Sequence, residues 1–405
     1  MTAALEAPER GAPTVTIEAV VKSFGAPTPA LDHVSLSCAP GRFSVLLGAS
    51  GSGKTTLLRC IAGIEKVTEG TIEIGGRKVA HDHLHLPPER RELAMVFQDY
   101  ALWPHMTAEQ NIAFALRRHR LVPATARQRT RIMLERVGLG ELGHRYPNEL
   151  SGGEQQRVAL GRALVANTGL ILFDEPLSNL DAHLRDRLRV EIATLVRECG
   201  ATAIYITHDQ AEAFALADDI AIMSNGRLLQ MGSPEEIYLN PATAFVARFT
   251  GLAGELAVHV HGPAGGEKFE VRLGDRLVTA RAPRQLRPGM PAQLLVRPSA
   301  GTLVPSADER ADLLGMVRDV AFRGRGYEHV VDLADGGRLH GLFSESKWGR
   351  GERLGVKLDA EQCLLLEFEP DIEPGDGGDG ARRPKVSLVD TVLAAPDEAL
   401  FEGIG

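Results

Sequence analysis

Gly48-Ala49-Ser50-Gly51-Ser52-Gly53-Lys54-Thr55 decides how this chain is read. The octet matches G-x-x-x-x-G-K-[ST]; it follows the apolar run FSVLLG at Phe43 and opens the helically spaced stretch TTLLRCIAGI. A buried strand feeding a glycine-rich loop and then a helix is the context in which this pattern cradles phosphate. Glycines let the backbone wrap round an anion, while successive N–H groups and the helix N-terminus supply positive potential. Lys54 would reach the β- and γ-phosphates of a nucleotide, and Thr55 would place its hydroxyl on Mg²⁺. Ser52 and the Thr55-Thr56 pair are variants the pattern tolerates, and Thr56 is counted with the loop as nucleotide-binding.

Two further motifs follow in order. Leu170-Ile-Leu-Phe-Asp174-Glu175 ends an apolar strand with two carboxylates, where open α/β sheets hold their ligands. Asp174 can accept a hydrogen bond from a water on Mg²⁺, and Glu175 is placed to polarise an attacking water. The competing reading is a helix cap, because Asp-Glu-Pro commonly opens a helix. Between these motifs, Leu150-Ser-Gly-Gly-Glu-Gln-Gln-Arg157 precedes the helical VALGRALVA and sets another helix N-terminus ready for an anion. Taken alone it reads equally well as an N-cap and a tight turn.

The three motifs in this order resemble the nucleotide-binding subunits of ABC transporters, whose LSGGQ-type sequence lies between Walker A and Walker B. The resemblance runs from about Thr14 to Gly251. It implies an ATPase in which a second copy of the chain completes each site, with Ser151, Gly152, Gly153 and Glu154 of one copy facing the γ-phosphate held by the other. Glu154 stands where many relatives have Gln, so a carboxylate there would weaken that contact. Phe24 matches the aromatic residue that stacks on adenine, against the alternative of a core-facing strand end. Gln98, in AMVFQDYALWPHMT, matches the glutamine that approaches Mg²⁺ and the attacking water. Asp181, in Ser178-Asn-Leu-Asp181, matches the D-loop, and His208, in YITHDQAEA, the switch histidine, although a lone histidine is more often structural. The implied catalytic set is Glu175, His208 and Gln98, the implied Mg²⁺ set Thr55, Gln98 and Asp174, and the cofactors ATP and Mg²⁺.

Around these motifs the patterning sets the architecture. VTIEAVVKSF from Val15 alternates like an edge strand, and EGTIEIGGRKV reads as a strand running into a Gly-Gly turn. From about 107 to 166 the chain turns Arg- and Leu-rich and amphipathic, a helical insert broken near Pro123 and Pro147. Strand and helix signals then alternate through LILF, LRDRLRVEIATLVREC, TAIYIT, QAEAFALA and IAIM, with a turn at Asn225-Gly226. After FVARFTG, short β-like runs separated by Gly and Pro begin. The expected fold is thus an α/β P-loop NTPase domain with a helical insert (14–250), followed by a small all-β, OB/TOBE-like barrel domain (251–370). Residues 1–13 read as a flexible N-terminus. DIEPGDGGDGARRPK reads as low-complexity linker, with a tail to residue 405.

Bulk properties narrow the class. A chain of 405 residues favours two or three domains, and a net charge of −8 argues against holding nucleic acid by phosphate neutralisation. Cys38, Cys60, Cys199 and Cys363 lie far apart, so buried thiols are expected in place of disulfides or zinc. His81, His83 and His85 share a strand face but have no supporting Cys or carboxylate, and read as a solvated loop. No leader or membrane-spanning run is visible, so any permeases must be separate chains.

VFQDYALWPHMT, the stretch from Asn225 to Gly251 and the β-rich C-terminal part together resemble the ATPase subunits of bacterial importers that use a solute-binding protein. QLLVRPS at Gln293 and GMVRDVAFRGRGYEHVVDL at Gly315 resemble the TOBE barrel of that group over about Arg287 to Phe368. The resemblance implies a peripheral position on the cytoplasmic face of the inner membrane, a homodimer, two permease subunits and, indirectly, a solute-binding protein. Ferric iron and polyamine are the cargoes it favours. A soluble, non-transport ABC-type ATPase is the rival reading.

Overall fold

The computed structural model describes residues 11–367 apart from 120, 274, 275, 284 and 335. The expected linker, the tail and most of the expected flexible N-terminus lie outside the described residues.

Six strands form the central sheet, in spatial order Arg227–Gly232, Asp219–Ser224, Phe43–Leu47, Thr202–Thr207, Leu170–Asp174 and Ala94–Val96. Every neighbouring pair is parallel except the hairpin at the Arg227–Gly232 edge. Phe43–Leu47 lies between two parallel neighbours and is buried at every residue, which is why its sequence shows no alternation and is apolar apart from Ser44. Phe43, Phe173 and Tyr205 pack against one another across three strands, with ring centroids 5.7–6.3 Å apart. The hairpin turns on Asn225 and Gly226, at φ 48° and 75°, the left-handed pair that Asn-Gly readily adopts. Because the strands are parallel, the chain leaves Leu47, Asp174 and Thr207 at one edge of the sheet. Three loops therefore gather there.

A second, antiparallel sheet has the order Leu31–Cys38, Val15–Lys22, Glu69–Ile74, Arg77–His81, Leu84–His85. The edge-strand expectation for VTIEAVVKSF fails: Val15–Lys22 pairs on both sides. Its alternation reflects one buried and one solvated face, a property that edge and inner antiparallel strands share.

Helices Ala108–Phe114, Pro123–Arg136 and Gly152–Val165 pack on one another and onto the sheet through Ile112, Met133, Leu134 and Leu160. Thr107 opens the first with a capping box to Gln110, and Pro123 occupies the first turn of the second, where its missing N–H costs nothing. Gly161 lets the three helices close: a Cβ there would lie 3.0 Å from Ile112 Cδ1 and 3.4 Å from Met133 Cγ. Burial of Ile112 and Met133 contributes about 1.5–3 kcal/mol each.

Beyond Gly251 the regular elements among the described residues are all β. Gly254–Gly265, Lys268–Leu273, Arg276–Arg281, Cys363–Glu367 and Pro291–Val296 close a barrel. Gly301–Pro305, Arg353–Leu358, Leu313–Phe322, Tyr327–Leu333 and Arg338–Ser344 form a further sheet that shares the barrel's apolar core. Arg297 ties this part to the preceding helices. Its guanidinium donates to the carbonyls of Ala247 (3.1 Å) and Gly251 (2.6 Å), to Thr250 Oγ1 (3.1 Å) and to Tyr238 O, and lies 4.0 Å from the Tyr238 ring centroid. All four cysteines are free and buried. Among the described residues no helix is long and apolar enough to cross a membrane.

Candidate functional site

The loop after Leu47 is shaped by close backbone approaches. Gly51 and Gly53 have φ of 80° and 99°, and a Cβ on Gly48 would fall 2.4 Å from the Met223 carbonyl oxygen. Only glycine meets both demands. Lys54 opens helix Lys54–Ala62 and is 4% exposed. Its ammonium donates to Gly48 O (2.7 Å), Ala49 O (2.9 Å) and Ser52 Oγ (3.2 Å). Burial lowers its pKa, opposed by the charge of Glu175. A cation held only by neutral oxygens binds a charged phosphate oxygen more strongly. Ser50 lies in the exposed part of the loop, and Thr55 and Thr56 continue the helix start.

Asp174 ends its strand 6% exposed. Burial raises its pKa; Arg59 and a hydrogen bond from Thr55 act in the opposite direction, and Glu175 adds to the rise. A buried carboxylate beside a hydroxyl is a hard, all-oxygen donor pair, the kind that holds Mg²⁺ together with substrate phosphates. Gln98, the third residue of the implied Mg²⁺ set, is exposed in the loop that follows Ala94–Val96. Among the described residues no group of three or more His, Cys, Asp or Glu is placed to hold a metal, so the three histidines of the 81–85 hairpin do not form one.

Glu175 adopts φ 44°, unusual for a non-glycine residue, and the turn is held by Ser178, whose N–H and hydroxyl donate to Glu175 O at 3.3 and 2.9 Å. Its carboxylate Oε2 lies 3.1 Å from His208 Nδ1. The cap alternative for Asp174-Glu175-Pro176 fails here, because the next helix begins only at Ala182 and Asp181 caps it, accepting from Leu184 N at 3.0 Å. Behind His208, Asp209 caps helix Gln210–Leu216, and the buried Glu212 accepts from Tyr205 Oη at 3.0 Å. Burial raises the Glu212 pKa.

Gln98 sits in a turn closed by Tyr100 N–H on Phe97 O (3.0 Å), and its own carbonyl accepts from Asn179 Nδ2 at 3.1 Å. The loop beyond it is organised by two residues that no motif singled out. Asn111, fully buried, accepts from Trp103 N (2.9 Å) and donates to the carbonyls of Trp103, Met106 and Thr107. Arg162 binds the carbonyls of Tyr100 and Ala101. A lone Asn and a lone Arg on helices carry no sequence signal that separates them from surface residues.

Other predicted residues stand apart from this cluster. Phe24 is 61% exposed, which excludes the core-facing alternative, and Lys22 Nζ lies 4.5 Å from its ring centroid. Ser151 caps helix Gly152–Val165 in a reciprocal capping box: Glu154 Oε2 accepts from Ser151 N (2.7 Å) and Oγ (2.8 Å), and Glu154 N donates to Ser151 Oγ (3.4 Å). Hydrogen bonds from Ser151 hold the Glu154 carboxyl below its usual range. Gly152 and Gly153 form the first turn of that helix. Among the described residues Ser151 and Glu154 bond to each other and not to the Gly48 loop.

Comparison with known proteins places these features in a family. Residues 31–178 match the ABC transporter family, and residues 294–366 match the TOBE domain. The Fe(3+) ions import ATP-binding protein FbpC of Brucella melitensis is 46% identical over 324 residues, 80% of this chain and 89% of that protein. The sn-glycerol-3-phosphate import ATP-binding protein UgpC of Burkholderia thailandensis is 41% identical over 365 residues, 88% of this chain and 97% of that protein. A dimeric ATP-binding cassette of known structure, bound to ADP and Pi, is 30% identical, covering 54% of this chain and 98% of its own, with a TM-score of 0.49. A glycine loop around a buried lysine, two carboxylates two strands away at the same sheet edge and a TOBE barrel thus occur in a chain nearly half identical to import ATP-binding proteins, and the chain belongs to the ABC transporter family as an ATPase subunit.

Proposed function

We propose that this chain is the motor subunit of an importer, coupling ATP binding and hydrolysis to solute uptake through two separate permease subunits at the cytoplasmic face of the inner membrane, with a solute-binding protein delivering the cargo. The observation that carries the reading is the 3.1 Å contact between Glu175 and His208, beside a Lys54 held within its own loop. The loop Gly48–Thr56 binds the phosphates, Lys54 exchanging loop carbonyls for the β- and γ-oxygens, and the exposed Phe24 ring offers a platform for adenine. Thr55, Asp174 and Gln98 would hold Mg²⁺, which would neutralise charge on the phosphates. Glu175 orients the attacking water and takes its proton, and His208 positions Glu175 and contacts the γ-phosphate.

Ser151 and Gly153 stand at a helix N-terminus where Ser151 bonds to Glu154 and not to the Gly48 loop of its own chain, which supports completion of each site by a second copy, with Asp181 at the seam. With Glu154 engaged by the Ser151 N–H and hydroxyl, its charge is already partnered. The nucleotide-binding unit is assigned to 14–250, with its helical part at about 107–166, and a regulatory β unit to 251–370. Cargo selection lies in the partner proteins; the names of the relatives favour ferric iron over polyamine and add a phosphorylated polyol.

The test is Glu175→Gln. Loss of a general base predicts turnover down by roughly 10²–10⁴ with ATP binding retained and a dimer trapped by ATP. Unchanged turnover would remove Glu175 from this role, and absence of any membrane partner on purification would favour a soluble ATPase.

A further inference from the structure

The helix Gly152–Val165 presents Ser151 at its N-terminus and Arg162 in its last turn, about 16 Å further along at 1.5 Å per residue. The Arg162 guanidinium reaches off this helix to the loop beyond Gln98. Nη1 donates to Ala101 O at 2.6 Å, Nη2 donates to Tyr100 O at 2.7 Å, and the cationic carbon lies 5.0 Å from the Trp103 ring centroid. The two carbonyls belong to residues with φ of 63° and 44°, a consecutive pair of non-glycine residues in the left-handed region. Such a pair persists only where its surroundings over-determine it. Tyr100 also closes the turn that contains Gln98.

From this geometry we infer that Arg162 is a positioning residue for hydrolysis: it locks the Gln98 turn to the helix whose N-terminus bears Ser151, so that Gln98 moves with that helix. Two parallel donors on two successive carbonyls fix both position and orientation, which a single ammonium cannot do. The Asn179 bond to Gln98 O holds the turn from the other side. When a second copy draws Ser151 toward its nucleotide, Arg162 carries that displacement to the Gln98 turn and to Trp103. The inference rests on the ATPase reading proposed above, with Gln98 near the attacking water.

The test is a double-mutant cycle on the full chain with Mg²⁺ and ATP, using Arg162→Lys, Gln98→Ala and both together. Lys keeps the charge and stem and loses the paired donors. Arg162→Lys is expected to lower kcat about tenfold, to change ATP affinity less than twofold and to leave the thermal midpoint near that of the parent. If Arg162 acts through Gln98, the double variant is no slower than Gln98→Ala alone. Multiplied losses in the double variant, or wild-type kcat in Arg162→Lys, would overturn the link while leaving the ATPase reading intact. A wild-type chain that binds no ATP would overturn that reading and this one with it. A tenfold fall matched by an equal loss of ATP affinity and a lower midpoint would mark Arg162 as merely structural and overturn the inference.

Discussion

The two halves of the molecule treat the left-handed backbone region in opposite ways. Before Gly251, seven described non-glycine residues have positive φ: Ala19, His33, Tyr100, Ala101, Asn167, Glu175 and Asn225. Beyond it, the described positive-φ residues are all glycines, such as Gly265, Gly289 and Gly336. Three of the seven non-glycines, Tyr100, Ala101 and Glu175, lie in the Gln98 and Glu175 loops. Buried polar groups divide the same way. Lys54, Asp174 and Glu212 lie at or behind the nucleotide edge, whereas the β part buries Arg297 and His329, each engaged by hydrogen bonds. Part of the strain and of the buried charge thus lies where chemistry is proposed, while Arg91, 1% exposed and bonded to the carbonyls of Leu86, Cys60 and Ile61, is a buried charge held outside that edge.

That contrast can be broken or sharpened by substitution. The largest effect is expected for Lys54→Ala, which removes a buried ammonium from the phosphate loop. ATP affinity should fall about a hundredfold, the equivalent of one strong charge-assisted contact, with the fold retained. Equilibrium dialysis or a fluorescent nucleotide would measure it, and near-normal affinity would show that the loop backbone alone holds the phosphates. In the β part, Arg297→Ala should leave ATP affinity intact but cost about 3 kcal/mol in urea unfolding, because several acceptors lose their donor at once. A loss below about 1 kcal/mol would mean that water replaces the guanidinium.

A matched pair tests the backbone contrast directly. Ala101→Gly should stabilise by about 1 kcal/mol by relieving a left-handed alanine, while Gly289→Ala, at φ 82° in open space, should destabilise by a similar amount. Effects of the same sign would show that the non-glycine pair at Tyr100 and Ala101 is not strained.

The smallest effect concerns His329, which is fully buried, with Nδ1 on Leu342 O (3.3 Å) and Nε2 accepting from Trp348 N–H (3.2 Å). Burial lowers its pKa below 6.5. The unfolded chain therefore binds this proton first, so the contribution is whole above pH 6.5 and is lost as pH falls from there toward the folded pKa. His329→Gln should flatten that segment of the Tm-versus-pH curve by about 1–2 °C. A curve unchanged by the substitution would assign the acid sensitivity to other groups.

Legibility differed between the same two regions. Asp174 and His208 were readable because parallel strands deliver their C-terminal residues to one edge, so a motif after an apolar run is already a location. The order of the β strands was not readable. Cys363–Glu367 closes the barrel by pairing with Pro291–Val296 and with Arg281, partners about 70 to 80 residues distant, and short alternating runs say nothing about which distant run they join. The misplaced Val15–Lys22 has the same cause, since alternation reports a buried face and not the number of neighbours. Arg162 and Asn111 carry no signal in the sequence because their roles reside in the carbonyls they reach.

The glycine loop at Gly48, the carboxylates after an apolar strand, the Leu150–Arg157 helix start and the family were legible in residue order alone. Each depends on short-range geometry: glycines where φ is positive, donors in succession, carboxylates after a buried strand. Only the tertiary structure decided that Lys54 rests on its own loop, that Phe24 is exposed, that Glu154 is occupied by Ser151 and that Arg162 grips the loop beyond Gln98. Those are contacts between side chains and backbone brought together by packing, and a linear pattern of residue types does not encode which carbonyl a long side chain will find.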